Sequence, residues 1–68
     1  MKRAALNSEL IQSIGFRDGN MEIKYRDDGA IFVYYAVPFS TYMALKRSKH
    51  PGTDWLDLRD QYRYKRIS

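Results

Sequence analysis

The sequence predicts an α+β fold: an antiparallel three-stranded meander packed by one main helix, with a short second helix and a possible fourth strand in the C-terminal tail. Two Asp-Gly dipeptides separate segments in which apolar and polar residues alternate, and a helical spacing of apolar residues follows Pro38. The chain has 68 residues, which suffices for one domain and not for two. We expect a flexible N-terminal arm over residues 1–7 and a single domain over residues 8–67.

The strongest strand signals are the dipeptides Asp18-Gly19 and Asp28-Gly29. A type I′ hairpin turn needs positive φ at both central residues, which Asp-Gly tolerates. With Asp18-Gly19 as the loop, Met21 faces Phe16 and Ile23 faces Ile14. The strands before and after this turn therefore share an apolar face.

The second turn predicts the same face. With Asp28-Gly29 as a two-residue loop, Tyr25 faces Phe32, Ile23 faces Tyr34 and Met21 faces Ala36. Both registers then place seven apolar or aromatic side chains together: Ile14, Phe16, Met21, Ile23, Tyr25, Phe32 and Tyr34. A slip of one residue in either hairpin would break this agreement. The opposite face is mixed and carries Glu22, Lys24, Arg26, Ile31, Val33 and Tyr35.

Two helices are predicted after the third strand. Pro38 suits the first turn of a helix over residues 39–48, in which Tyr42 and Leu45 are spaced to face the sheet. Pro51-Gly52 indicates a break in the chain. Beyond it, Thr53 or Asp54 can cap a short helix whose apolar stripe is formed by Trp55, Leu58 and Tyr62. The tail over residues 61–67 is either a fourth strand or an extended segment.

The charge of the protein is concentrated in its last third. Net charge is +4, with five basic and five acidic residues in positions 1–45 and seven basic against three acidic residues in positions 46–68. This asymmetry favours a polyanionic partner. The absence of cysteine excludes disulfides and thiolate metal sites, and no apolar run is long enough to span a membrane. We therefore expect a cytoplasmic protein without a membrane partner.

The tail alternates aromatic and basic residues, a pattern in which rings can stack on unpaired bases while cations meet phosphates. Together with the basic residues at the end of the main helix, it predicts a nucleic-acid-binding surface formed by Lys46, Arg47, Lys49, Arg59, Tyr62, Arg63, Tyr64, Lys65 and Arg66. The alternative is that the tyrosines pack on the core and the cations form a solvated face. Phe32 and Tyr34 are either core residues or an exposed stacking platform.

Catalysis and metal binding find little support in the sequence. The only histidine, His50, has no orienting partner, and no glycine-flanked elbow surrounds Ser48. The acidic residues Asp54, Asp57 and Asp60 lack the spacing of a calcium loop. We expect no catalytic residue, no metal and no cofactor, and hence a protein that is not an enzyme.

Several short segments together resemble a known family. They are Ile14-Gly15-Phe16, Phe32-Val33-Tyr34, Val37-Pro38 and the stretch from Trp55 to Tyr62, and in order and spacing they are similar to the KTSC domain over residues 8–67. This short module occurs at the C-terminus of some lysyl-tRNA synthetases and as stand-alone bacterial and phage proteins. The resemblance implies an RNA-binding module and supplies no catalytic residues. The family's Tyr-x-Tyr is Phe32-Val33-Tyr34 here, and Leu56 stands where the family often has Asn.

Two classes of function follow. The first is an RNA-binding module that uses the C-terminal basic and aromatic residues. The second is a protein-interaction module, for example a small phage protein that docks on a host factor through Ile31, Val33 and Tyr35. A nucleotide-sequestering protein is a third and weaker alternative. Salt separates the first two, because binding to phosphates weakens steeply as salt rises and an apolar interface does not.

Overall fold

One antiparallel sheet of five strands organises the protein, as seen in a computed structural model that describes residues 3–6 and 8–68. The strands lie side by side in chain order: β1 (Arg3–Ala5), β2 (Ile11–Arg17), β3 (Asn20–Tyr25), β4 (Ile31–Tyr34) and β5 (Tyr64–Arg66). Between β4 and β5 the chain forms α1 (Phe39–Arg47), α2 (Pro51–Leu58) and a short 3₁₀ helix (Arg59–Gln61). The α+β class is confirmed, with more strands than predicted.

The β2–β3 hairpin has the predicted register. Met21 pairs with Phe16, and Ile23 pairs with Ile14. Asp18 and Gly19 have φ values of 53° and 81°, so both central residues of the turn adopt the left-handed conformation that a type I′ turn requires. The hairpin predicted from the Asp18-Gly19 dipeptide is therefore confirmed.

The β3–β4 register differs from the prediction by two residues. Ile23 pairs with Phe32 and Met21 pairs with Tyr34. The connection is longer than a two-residue turn because the Tyr25 amide donates to the Ala30 carbonyl at 2.9 Å, which closes a loop over residues 26–29. A shift of two residues preserves the alternation of side chains, so the predicted apolar face survives.

Both outer strands extend the predicted meander. Residues 3–5 form β1, paired with β2, which corrects the expectation of a flexible arm at these three positions. Residues 1, 2 and 7 of the predicted arm lie outside the described residues. The tail forms β5 and pairs with β4, which confirms that the tail contains a strand.

The two helices cover the apolar face of the sheet. In α1, Leu45 is buried and the half-buried ring of Tyr42 stacks on Phe16 with a centroid separation of 5.3 Å, so the predicted orientation is confirmed. In contrast, Pro51-Gly52 is not a break, because it forms the first turn of α2. Proline is well suited to the start of a helix, where its missing amide hydrogen has no intrahelical partner.

The core lies between the sheet and these helices. Its side chains of lowest exposure come from β2, β3, α1 and α2, and they are Ile11, Ile14, Met21, Ile23, Leu45 and Trp55. Tyr25 and Tyr34 are also buried, whereas Phe16 and Phe32 are half-buried at the margins of the apolar face. Within the described part of the chain, no helix is long and apolar enough to cross a membrane.

The opposite face of the sheet is mixed, as predicted. Arg3 on β1 forms an ion pair with Glu22 on β3 at 2.7 Å, and both residues are in register with Gly15 on the strand between them. Because glycine has no side chain, the pair can pass over the middle strand. Ile31 and Val33 are half-buried on this face.

Candidate binding site at the β4–β5 edge

A pocket of about 270 Å³ opens on the helix-covered side of the sheet, where β4 and β5 meet the 3₁₀ helix. Four aromatic side chains and two charged ones line it: Tyr25, Phe32, Tyr34, Tyr64, Arg59 and Asp60. The pairing of β5 with β4 produces this pocket, because it sets Tyr64 directly beside Tyr34.

The outer wall of the pocket is aromatic. The Tyr64 ring lies 5.6 Å from the Phe32 ring and 5.8 Å from the Tyr34 ring, measured between centroids. Tyr64 is 63% exposed, whereas Tyr34 is 3% exposed. The wall therefore extends from the exposed ring of Tyr64 on β5 to the buried ring of Tyr34 in the core. The Tyr64 ring is accessible to a ligand.

The inner wall is formed by Tyr25 and Tyr34, which are joined in a hydrogen-bonded group with Trp55 behind them. The Trp55 indole Nε1–H donates to the Tyr25 hydroxyl at 3.0 Å, and the Tyr25 and Tyr34 hydroxyl oxygens share a hydrogen bond of 2.5 Å. Burial raises the pKa of Tyr34 well above that of an ordinary tyrosine, and the hydrogen bond with Tyr25 adds to this rise. The Trp55 indole and the charge of Arg59 act in the opposite direction and do not offset it.

The predicted basic residues from Arg59 to Arg66 do not all lie on the same face of the sheet. Arg59 is half-buried and lines the pocket. Arg66 pairs with Phe32 and lies on the same face of β5 as Tyr64, since side chains two residues apart share a face. Lys65 lies between them and points to the opposite face, in register with Val33. Arg63 precedes the strand and is exposed.

The other predicted residues lie elsewhere. Tyr62 is half-buried and stacks on Trp55 at 5.9 Å between centroids, so it belongs to the support of the core. Lys46 and Arg47 are exposed at the end of α1, and the Lys46 Nζ lies 5.4 Å from the Tyr42 ring centroid. These contacts place the residues of the α1 cluster away from the aromatic pocket.

A second pocket, of about 400 Å³, lies between the start of α2 and the segment that leads into β2. Lys49 and His50 line it together with residues 8–10 and the beginning of α2. None of its lining residues also lines the aromatic pocket. The two basic clusters predicted from the sequence therefore do not meet in one pocket.

Four pocket residues do not belong to the binding surface predicted from the sequence: Tyr25, Phe32, Tyr34 and Asp60. Tyr25 and Phe32 were expected on the core face, where they do lie, but they also border the pocket. Pairing the tail with the third predicted strand is what identifies Tyr25 and Phe32 as pocket residues. Aligning Tyr64 with Tyr34 brings Phe32 and Tyr25 to the same edge.

The polar residues considered for chemistry are placed as follows. His50 is exposed at the start of α2, and its backbone amide donates to the Ser48 hydroxyl at 3.0 Å. The same hydroxyl donates to the Asp54 carboxylate at 2.5 Å, so Ser48 and Asp54 close the first turn of the helix. Among the described residues, no group of three potential metal ligands comes together.

These features define a small α+β module in which a five-stranded meander is covered by two helices on one side. The family model of the KTSC domain matches residues 7–53, which is more than half of the chain. The protein belongs to the KTSC domain family, and the resemblance seen in the sequence is confirmed.

A solved structure gives the same fold. The crystal structure of a KTSC domain protein from Yersinia pestis matches with a TM-score of 0.90, covering 98% of this chain and 97% of that chain at 23% sequence identity. At this identity the similarity shows the fold alone. A search of the curated proteins found no significant match.

Proposed function

We propose that the protein is a non-catalytic module that binds single-stranded nucleic acid, RNA in particular, at the aromatic pocket of the β4–β5 edge. The observation that carries this proposal is the position of Tyr64. Its ring is 63% exposed on β5, in contact with Phe32 and beside a pocket that Arg59 lines. An open ring next to cations is the arrangement that binds an unpaired base and its phosphates.

The chemistry of the pocket supports a single-stranded ligand. Aromatic side chains stack on bases that are not already stacked in a duplex, and single-stranded RNA offers such bases in loops and at ends. Arg59 and Arg66 lie on the same side of the sheet as Tyr64, where they can meet the phosphates on either side of a stacked base. Lys65 lies on the other face and takes no part in this contact.

The cluster at the end of α1 is less suited to this role. Its nearest aromatic side chain is Tyr42, which is half-buried against Phe16 and Phe39. A base would have to displace those contacts in order to stack there. The α1 cluster therefore serves as the internal control for the experiment below.

The experiment is a salt titration of binding to a labelled single-stranded RNA of mixed sequence. Each phosphate contact contributes a log–log slope of about −0.7 for single strands. We expect the double substitution Arg59→Ala and Arg66→Ala to make the slope shallower by about 1.4. The matched control, Lys46→Ala and Lys49→Ala, removes the same charge outside the aromatic pocket and should leave the slope nearly unchanged.

Two results would overturn the proposal. Equal changes of slope in the two double variants would mean that charge alone, and not the β4–β5 edge, determines binding. Absence of binding by the wild-type protein at low salt would exclude nucleic acid as the partner. The protein-interaction alternative would then be the one to pursue.

A further inference from the structure

The hydrogen-bonded group of Trp55, Tyr25 and Tyr34 contains one polar hydrogen that its own hydrogen bonds do not use. Trp55, Tyr25 and Tyr34 each contribute one polar hydrogen, which makes three in all. The two hydrogen bonds that join them use two of these hydrogens, one from the indole and one from a hydroxyl. One hydroxyl hydrogen therefore has no acceptor among the hydrogen bonds of the described residues.

This count does not depend on the direction of the Tyr25–Tyr34 bond. If Tyr25 donates to Tyr34, the spare hydrogen is on Tyr34, and in the reverse case it is on Tyr25. Both residues line the pocket, and they are 8% and 3% exposed, respectively. A buried donor without an acceptor is unfavourable, so the pocket favours a ligand that brings an acceptor atom.

The spare hydrogen is a lasting donor when it is on Tyr34. Burial and the hydrogen bond with Tyr25 raise the pKa of Tyr34, so its hydroxyl stays protonated where an ordinary tyrosine begins to ionise.

The size of the pocket limits the ligand. Its volume of about 270 Å³ is just below the range for small-molecule sites, which is about 300–1,000 Å³. Such a pocket accommodates one flat ring system and leaves the attached sugar and phosphate outside. The Phe32 and Tyr64 rings at its entrance are suited to contact the face of that ring.

Two further groups complete the pattern of donors and acceptors. The Arg59 guanidinium adds donors, and the Asp60 carboxylate adds an acceptor. A ligand that matches this wall presents an acceptor oxygen next to an N–H group. Uracil and guanine have a carbonyl oxygen beside a ring N–H. Adenine has no carbonyl, and the ring nitrogen beside the cytosine carbonyl carries no hydrogen.

We propose that the aromatic pocket at the β4–β5 edge selects a base with a carbonyl oxygen beside an N–H, namely uracil or guanine, over adenine and cytosine. The spare tyrosine hydrogen and Arg59 donate to carbonyl oxygen, and Asp60 accepts from the N–H. This inference rests on the proposed function, since it specifies the base that the nucleic-acid site prefers.

The test compares oligo-U, oligo-A and oligo-C of equal length by fluorescence anisotropy at low salt. We expect oligo-U to bind at least about fivefold more tightly than the other two, the ratio that one net hydrogen bond provides. Equal binding of oligo-U and oligo-A would overturn the selection and leave the binding function intact. Equal binding of oligo-U and oligo-C would refute the role of the N–H. Binding to none of them would overturn the proposed function itself.

Variants locate the selection in the tyrosine pair. The double substitution Tyr25→Phe and Tyr34→Phe removes both hydroxyls, and we expect the oligo-U preference to fall to the part that Arg59 and Asp60 provide, while binding of oligo-A stays within about twofold. Tyr34→Phe alone keeps the bond from Trp55 to Tyr25 and leaves the Tyr25 hydroxyl as the spare donor, so it should keep the preference and the fold. The control Tyr42→Phe removes a hydroxyl remote from the pocket and should keep the preference. Retention of the full preference in the folded double variant, or its loss in a folded Tyr34→Phe variant, would contradict the proposal.

Discussion

The indole Nε1–H of Trp55 donates a hydrogen bond to the hydroxyl of Tyr25 at 3.0 Å and so joins α2 to β3. The same indole ring packs edge-on against Tyr34, with a centroid separation of 4.7 Å. Trp55 is fully buried. One core side chain therefore positions both buried tyrosines of the candidate site, which makes the site and the fold of this domain interdependent.

Replacing Trp55 by Phe should destabilise the domain by about 2–4 kcal/mol. The change leaves a cavity in the core and removes the donor to Tyr25, and each effect lowers the free energy of unfolding. Chemical denaturation followed by circular dichroism measures the loss. The control Leu56→Ala truncates the neighbouring exposed residue and should change stability by less than about 0.5 kcal/mol. An unchanged denaturation midpoint in Trp55→Phe would contradict the contacts described above.

Stability should fall at alkaline pH because of Tyr34. The folded protein holds the Tyr34 proton more tightly than the unfolded chain does, so this contribution is fully present below about pH 10, the ordinary tyrosine pKa, and is lost as the pH rises above it. The free energy of unfolding should decrease by up to about 1.4 kcal/mol per pH unit in that range. The Tyr34→Phe variant should show a shallower decrease, measured by urea denaturation at a series of pH values. An identical slope in both proteins would show that Tyr34 is not the group responsible.

Gly52→Ala should destabilise the domain although alanine is the better helix former. A Cβ atom at this position would lie 2.9 Å from the Ser8 Oγ and 3.0 Å from the Leu10 Cβ. The Ser8 Oγ accepts hydrogen bonds from two backbone amides at the start of β2, so moving it disturbs that turn. Overpacking costs about 1–3 kcal/mol and exceeds the gain in helix propensity of about 1 kcal/mol.

Thermal denaturation measures the effect, with Thr53→Ala as the control, because Thr53 is the next residue of α2 and is exposed. A Gly52→Ala variant more stable than the wild type would mean that α2 can move away from residues 8–10.

Tyr64→Ala should weaken RNA binding by about 1–3 kcal/mol, the value of one stacked base, without changing the salt slope. Stacking releases few counterions, so a loss of the ring differs from a loss of charge. Tyr35→Ala is the control, because Tyr35 is 38% exposed and does not line the pocket. Equal losses in the two variants would show that the ring on β5 has no special role.

The sequence predicts most of the sheet because its signals are local. The Asp18-Gly19 turn specifies one hairpin, and alternation specifies which side chains face the core. The β3–β4 register was predicted wrongly because Asp28 and Gly29 belong to a longer loop. In this loop the Asp28 carboxylate accepts a hydrogen bond from the Ala30 amide at 3.0 Å. The strand β1 was not predicted because three residues are too few to show an alternation of apolar and polar side chains.

The candidate site was predicted only in part, since it depends on a contact between distant parts of the chain. The aromatic-basic tail contains Tyr64 and Arg66, but the pocket appears only when β5 pairs with β4. No local pattern specifies that Tyr64 aligns with Tyr34, or that Lys65 and Lys49 lie away from the pocket. These placements follow from the path of the two helices across the sheet.

NMR mapping of the backbone amides during titration with single-stranded RNA tests most directly whether nucleic acid binds at the β4–β5 edge. We expect chemical-shift changes concentrated in β4, in β5 and in the 3₁₀ helix that carries Arg59 and Asp60. The residues around the second pocket, at positions 8–10 and 49–53, should shift little. Shifts centred on that second pocket, or no shifts at saturating RNA, would contradict the account.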